Sequence, residues 1–163
     1  VVTAGIFEPA PIDEMTPAFW DRTMEVNVKG TFLSLQAVLP SMRRQGGGSI
    51  VIFTSTAGQR GSDIYSAYAT SKGAQILFMR SMARELAPDR IRVNCVAPGW
   101  TETDMATDTI DQLGREEIVD SIPLGRIGLP EDTAAAACYL LSDLAVFMTG
   151  STMTVDGGFD MRG

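Results

Sequence analysis

The sequence contains no histidine, so any acid–base chemistry falls to a carboxylate, a lysine, a tyrosine or a thiol. Its two cysteines, Cys95 and Cys138, sit in the apolar stretches VNCVA and AACYL, with no C-x-x-C spacing and no histidine to complete a metal set. No metal is expected, and both thiols are read as reduced, buried and inert, which suits the cytoplasm. No apolar run approaches the ~20 residues of a membrane-spanning helix, so no membrane partner is expected. Basic residues are scarce as well: 13 lysines and arginines stand against 20 acids, a formal net charge of −7, and they are dispersed. That field repels a phosphate backbone and sets nucleic acid aside. Finally, the chain opens on VVTAG, without an initiator methionine and without the charged start of a signal peptide. It reads as a strand already under way, and an N-terminal portion is expected to precede it.

What is present suffices for one domain with a core, spanning residues 1–163. After the opening strand, Thr16 and Pro17 have the pattern of an N-cap and first helical residue, and the spacing predicts a helix over 17–43. SIVIFTS and IRVNCVAPG are short β-branched runs of the kind buried on both faces of a parallel sheet. Between them, residues 65–86 predict a helix that is apolar most of the way round. Residues 100–129 are polar and glycine-punctuated, a loop with short helices and the most mobile segment expected. PEDTAAAACYLLSDL predicts a further helix and GSTMTVDGG a last strand. This alternation specifies an α/β fold, a doubly wound parallel sheet of about four strands with helices on both faces. Ligands of such sheets bind outside the carboxyl ends of the strands, where TSTAG, APGWTET and the first TAG fall.

One stretch, YSAYATSK, raises a chemical question because it offers two tyrosines. Residues four apart share a helix face, so Tyr68 and Lys72 can meet at one site, whereas Tyr65 has Ala69 in that position. A nearby ammonium favours the phenolate, which is expected to lower the Tyr68 pKa and make the phenol usable as acid or base near neutrality. Y-x-x-x-K alone is common on helix surfaces. Its context is more informative: Ser55, at the end of the preceding strand, is either a donor to a developing oxyanion or a turn serine. Asn27 lies mid-helix in MEVNVKG, where an amide either binds water or needs buried partners.

Taken together, NVKG at 27–30, TSTAG at 54–58, YATSK at 68–72, NCVAPGWTETDM at 94–105, PLGRIGLPED at 123–132 and MTGSTMTVDGG at 148–158 resemble the short-chain dehydrogenase/reductase family, in order and with family spacing. The resemblance implies a Rossmann-like fold and hydride transfer between NAD or NADP and a ketone or secondary alcohol. It implies that Tyr68 is the acid/base, that Lys72 lowers its pKa and holds the nicotinamide ribose, and that Ser55 binds the substrate oxygen. Asn27 would kink its helix and support a proton-relay water; Pro98, Gly99, Thr101 and Thr103 would lie along the nicotinamide. Ala4 and Gly5 would form the turn beside the cofactor, although Val2 and Thr3 stand where the family has two asparagines. The family's T-G-x-x-x-G-x-G loop occurs nowhere in this sequence. The expectation is therefore the C-terminal part of a Rossmann domain, with the first dinucleotide-binding half missing and no activity on its own. The resemblance also implies a homodimer or homotetramer, similar to 3-oxoacyl-carrier-protein reductases. Two further readings are a non-catalytic truncated subunit that serves oligomerisation, and a sugar-nucleotide epimerase or dehydratase. The VDGG ending counts against the last.

Overall fold

The computed structural model describes residues 1–161. Its centre is a parallel sheet, β1 (Gly48–Phe53), β2 (Ile91–Pro98) and β3 (Thr152–Val155), in that spatial order. Side chains alternate across a strand, so each β-branched run feeds two cores at once. Ile50, Ile52, Val93 and Cys95 face one layer, packed on Leu35, Met79, Ala83 and Leu86. Val51 and Val96 face the other, packed on Ala136, Ala137 and Leu140. The helices that carry these residues are α2 (Gly30–Gln45) and α4 (Ser66–Leu86) on the first face and α7 (Pro130–Leu141) on the second. The architecture is the expected doubly wound, Rossmann-like α/β fold.

The expected fourth strand is reduced to one residue. Val2 forms a single parallel bridge with Ile52, its N–H donating to the Val51 carbonyl at 2.8 Å and its carbonyl accepting from the Phe53 N–H at 2.9 Å. A ladder needs successive residues paired with the same neighbour; beyond Val2 no further backbone pairing to β1 follows among the described residues, and the backbone of Ile6 bonds to the side chain of Asn27. The helix expected over 17–43 is likewise divided. Thr16 accepts from the Phe19 N–H and opens α1 (Pro17–Met24), but residues Glu25–Lys29 form a π-turn before α2 continues. The wider turn re-aims the helix at Asn27, a device frequent at functional sites.

Cys138 also departs from expectation. The inward positions of α7 are Ala136, Ala137 and Leu140, which leaves Cys138 exposed; only Cys95 is buried. The segment 100–129, expected to be mobile, has a small core of its own. Within it α5 (Thr107–Leu113) and α6 (Arg115–Asp120) bring Ile110 and Ile118 against Ile122 and Ile127. Its base is clasped by the Glu102 N–H to the Gly128 carbonyl at 2.9 Å and the Gly128 N–H to the Trp100 carbonyl at 3.0 Å. Arg126 and Leu129 both donate to Asp132 at the start of α7, holding its carboxyl at about 2, well below the usual carboxylate range.

The short helix α3 (Ala57–Arg60) fixes where the site forms, because it lies directly on α4. A Cβ on Gly58 would stand 2.6 Å from the Lys72 carbonyl carbon and 2.7 Å from the Gly73 nitrogen, so the two backbones approach only because residue 58 is glycine. Gly58→Ala forces them apart. It should destabilise the chain by about 2 kcal/mol through overpacking, read as a lower urea midpoint at unchanged slope.

Candidate active site

Strand ends create the site. Beyond Phe53 the chain stays bonded to β2: the Thr54 N–H donates to the Val96 carbonyl at 2.8 Å and the Thr56 N–H to the Pro98 carbonyl at 3.0 Å. Ser55 is thus held at the carboxyl edge, its Oγ accepting from the Ala57 N–H at 3.1 Å. The turn role read from the sequence is present, and the same residue lines a cavity with Tyr68. Tyr68 and Lys72 project from the first two turns of α4, and with Ser55 they line one cavity of about 940 Å³.

Lys72 is buried, and its Nζ donates to the Phe53 carbonyl at 2.9 Å while lying 5.6 Å from the centroid of the Tyr68 ring. Burial pushes its pKa down to about 8. The phenol does not follow the sequence expectation. Burial raises the Tyr68 pKa, and the interaction that opposes this is the hydrogen bond with Ser55, not a charge contribution from Lys72. The physical reason is geometric: the ammonium is bonded to a strand carbonyl and lies over the side of the ring.

Asn27 is fully buried and does not itself line the cavity. Its Oδ1 accepts from the Ile6 N–H at 2.8 Å, and its Nδ2 donates to the Ile6 carbonyl at 3.0 Å and to Ser71 Oγ at 2.9 Å. Ser71 in turn donates to the Tyr68 carbonyl at 2.7 Å. The backbone carbonyl of Asn27 accepts from Gln75 Nε2 at 2.8 Å and from the Thr31 hydroxyl at 2.7 Å. The solvated alternative for this residue is therefore excluded.

Of the remaining expected positions, Gly5, Pro98, Gly99, Thr101 and Thr103 line the cavity. Ala4 does not: it is exposed, and Thr3 takes part in the wall instead. A Cβ on Gly5 would come 3.2 Å from Asn27 Oδ1 and 3.5 Å from Lys72 Nζ, so this glycine keeps the space beside the lysine open. Several wall residues carried no signal in the sequence, among them two aromatic ones on this side. Phe7 stacks on Tyr65 with centroids 4.3 Å apart and meets Tyr68 edge-on at 4.8 Å; Trp100 follows the Pro98–Gly99 turn. Phe7 stands in an irregular loop where no periodicity marks an inward position. Tyr65 is the buried N-cap of α4 and part of this aromatic wall.

A tyrosine, a lysine and a serine thus converge on one cavity at the carboxyl edge of a parallel sheet in an α/β protein. Residues 1–160 match the family model described as enoyl-(acyl carrier protein) reductase. The chain is 41% identical over 158 residues to a 3-oxoacyl-(acyl-carrier-protein) reductase of Thermotoga maritima, covering 97% of this chain and 64% of that protein. It is 40% identical over 157 residues to an uncharacterized short-chain type dehydrogenase/reductase of Sinorhizobium fredii, covering 95% and 62%. Among solved structures, a gluconate 5-dehydrogenase from Burkholderia cenocepacia in complex with NADP and tartrate superposes with a TM-score of 0.92 at 32% identity, covering 96% of this chain and 62% of that one. The chain belongs to the short-chain dehydrogenase/reductase family, and it spans less than two thirds of the length of these relatives.

Burial of Lys72 has a measurable consequence. Between pH 8 and about 10 the folded lysine gives up its proton while the unfolded one, near 10.5, keeps it, so the unfolded chain binds more protons and stability rises with pH. Lys72→Met should remove that rise. Denaturation of both proteins across this window, taken as a difference so that other titrating groups cancel, measures it.

Proposed function

We propose that this chain carries the proton-transfer and substrate side of an NAD- or NADP-dependent oxidoreductase that interconverts a ketone and a secondary alcohol. The observation that carries the reading is the convergence of Tyr68, Ser55 and Lys72 on one cavity. Both hydroxyls can reach a single substrate oxygen. The residues beside them suit the nicotinamide end of the cofactor. Gly5 leaves room next to Lys72 where a side chain would close it, Lys72 supplies a donor for ribose hydroxyls, and Thr101 and Thr103 supply hydroxyls along the wall. Bound there, the cofactor supplies or accepts the hydride.

In the reducing direction, Ser55 donates a hydrogen bond to the carbonyl oxygen and Tyr68 gives that oxygen its proton as negative charge develops. In the oxidising direction Tyr68 takes the proton from the alcohol. The raised pKa of the phenol makes it a reluctant base and keeps it protonated at neutral pH, which favours its role as acid. Lys72, still mostly charged at neutral pH, contributes a positive field to the developing phenolate. Asn27 acts from behind, through Ser71, by fixing the backbone from which Tyr68 projects.

A second reading, association of copies through the long helices, is favoured by one feature. α2 exposes Phe32, Leu33 and Val38, and α4 exposes Leu77 at 64%, more apolar surface than isolated helices need show. A homodimer or homotetramer built on these faces is compatible with the enzymatic reading.

In a protein of the relatives' full length that contains this chain, Tyr68→Phe should lower kcat at least about a hundredfold with little change in folding, followed by NAD(P)H absorbance with a ketone substrate. Tyr65→Phe should cost little in the chemical step. If Tyr65→Phe were the lethal change, the assignment would be wrong. Residues 1–163 alone should show no steady NAD(P)H consumption, since the sequence holds no glycine-rich loop for the pyrophosphate.

A further inference from the structure

We infer that Arg60 is the anion-recognising residue of the substrate cavity, and that the substrate is a ketone or alcohol bearing a carboxylate or phosphate group. The inference rests on the oxidoreductase reading of the site and adds the substrate class. The chain carries an excess of acids, yet the charged residues lining the cavity are Arg60, Lys72 and Asp63, two cations and one carboxylate. Lys72 is buried and bonded to the Phe53 carbonyl. Arg60 is exposed at the last position of α3, five residues after Ser55, on the same cavity as Tyr68.

Its surroundings distinguish it from an ordinary solvated arginine. The guanidinium lies over the ring of Phe159, 4.5 Å from the centroid. A ring beneath one face fixes the plane of the group and leaves its N–H edges free to donate, the arrangement that suits a planar, bidentate grip on a carboxylate or phosphate. Among the described residues no carboxylate lies within ion-pair distance of Arg60, and none of its side-chain N–H groups is hydrogen-bonded. Phe159 is itself held in place. It packs against the isoleucine core of segment 100–129, and the turn that carries it is wound on Asp156, whose carboxylate accepts from the N–H groups of Gly158 at 3.0 Å and Asp160 at 2.7 Å. The cation is thus preorganised at the wall while its donors are unused. Ser55 and Tyr68 would take the reacting oxygen and Arg60 the far, charged end of the same molecule.

Calorimetric titration of a protein of the relatives' full length that contains this chain, with 4-oxopentanoate, with its methyl ester and with dihydroxyacetone phosphate, tests this. The acid should bind at least about tenfold more tightly than the neutral ester, and Arg60→Gln should abolish that preference by weakening the acid and not the ester. Arg60→Lys should retain part of it. The stronger of the two anions in the wild-type protein identifies carboxylate or phosphate as the natural group. Equal binding of acid and ester, binding of neither anion, or an Arg60→Gln loss seen with NADP but not with the keto acid would overturn the proposal. Because binding is read without turnover, an Arg60-dependent preference in a protein that consumes no NAD(P)H would sink the oxidoreductase reading and leave the anion site standing. Turnover of neutral ketones without such a preference would do the reverse.

Discussion

The site depends on one buried amide. Asn27 sits where α1 gives way to a π-turn, and its side chain satisfies both backbone groups of Ile6 while donating to Ser71 on α4. Three segments far apart in sequence are therefore held by a single side chain. A buried amide left unpaired is costly, so the arrangement is close to all-or-none: either loop, kinked helix and α4 are in register or the amide loses its partners. The backbone of Tyr68 is bonded to the same network through Ser71, which makes the position of the phenol a property of the network as a whole.

Close backbone approach does the complementary work around Lys72. Gly58 lets α3 lie against Lys72 and Gly73, and Gly5 leaves space between Asn27 and the Lys72 ammonium. Lys72 is consequently enclosed. Its pKa falls and that of Tyr68 rises for the same reason, because each loses water that would stabilise its charged form. A pocket built this way holds a neutral phenol and a cation side by side at neutral pH.

The segment 100–129 supplies the other wall, and here hydrophobic packing and ion pairing divide the labour. Its isoleucines form a core independent of the sheet, while Arg126 and Asp132 tie its end to the start of α7. Phe159 joins that core from the far end of the chain and presents its other contact to Arg60. Segment 100–129 and α3 are thus linked across the cavity through an aromatic ring and a guanidinium.

The alternation of β-branched runs with helical patterns determined the α/β class, because burial of a parallel sheet on both faces leaves a periodicity that local sequence records. The pairing of Tyr68 with Lys72 was equally local, a matter of four residues on one helix face. Other features were decided only in three dimensions. Val2 was read as a strand, but its pairing with β1 is a single bridge, and the backbone a few residues on turns to Asn27 instead. Cys138 was read as buried from its apolar neighbours, but the face that α7 turns to the sheet left it outside. The pKa of Tyr68 was read from the charge nearest in sequence, yet its direction is set by burial and by Ser55, thirteen residues away. Phe7, Arg60 and Phe159 had no signal at all, since aromatic and cationic contacts across a cavity join residues whose spacing along the chain carries no period. Sequence by itself determines what is repeated along one element; the tertiary structure decides what water is excluded from and which distant groups then have only one another to bond.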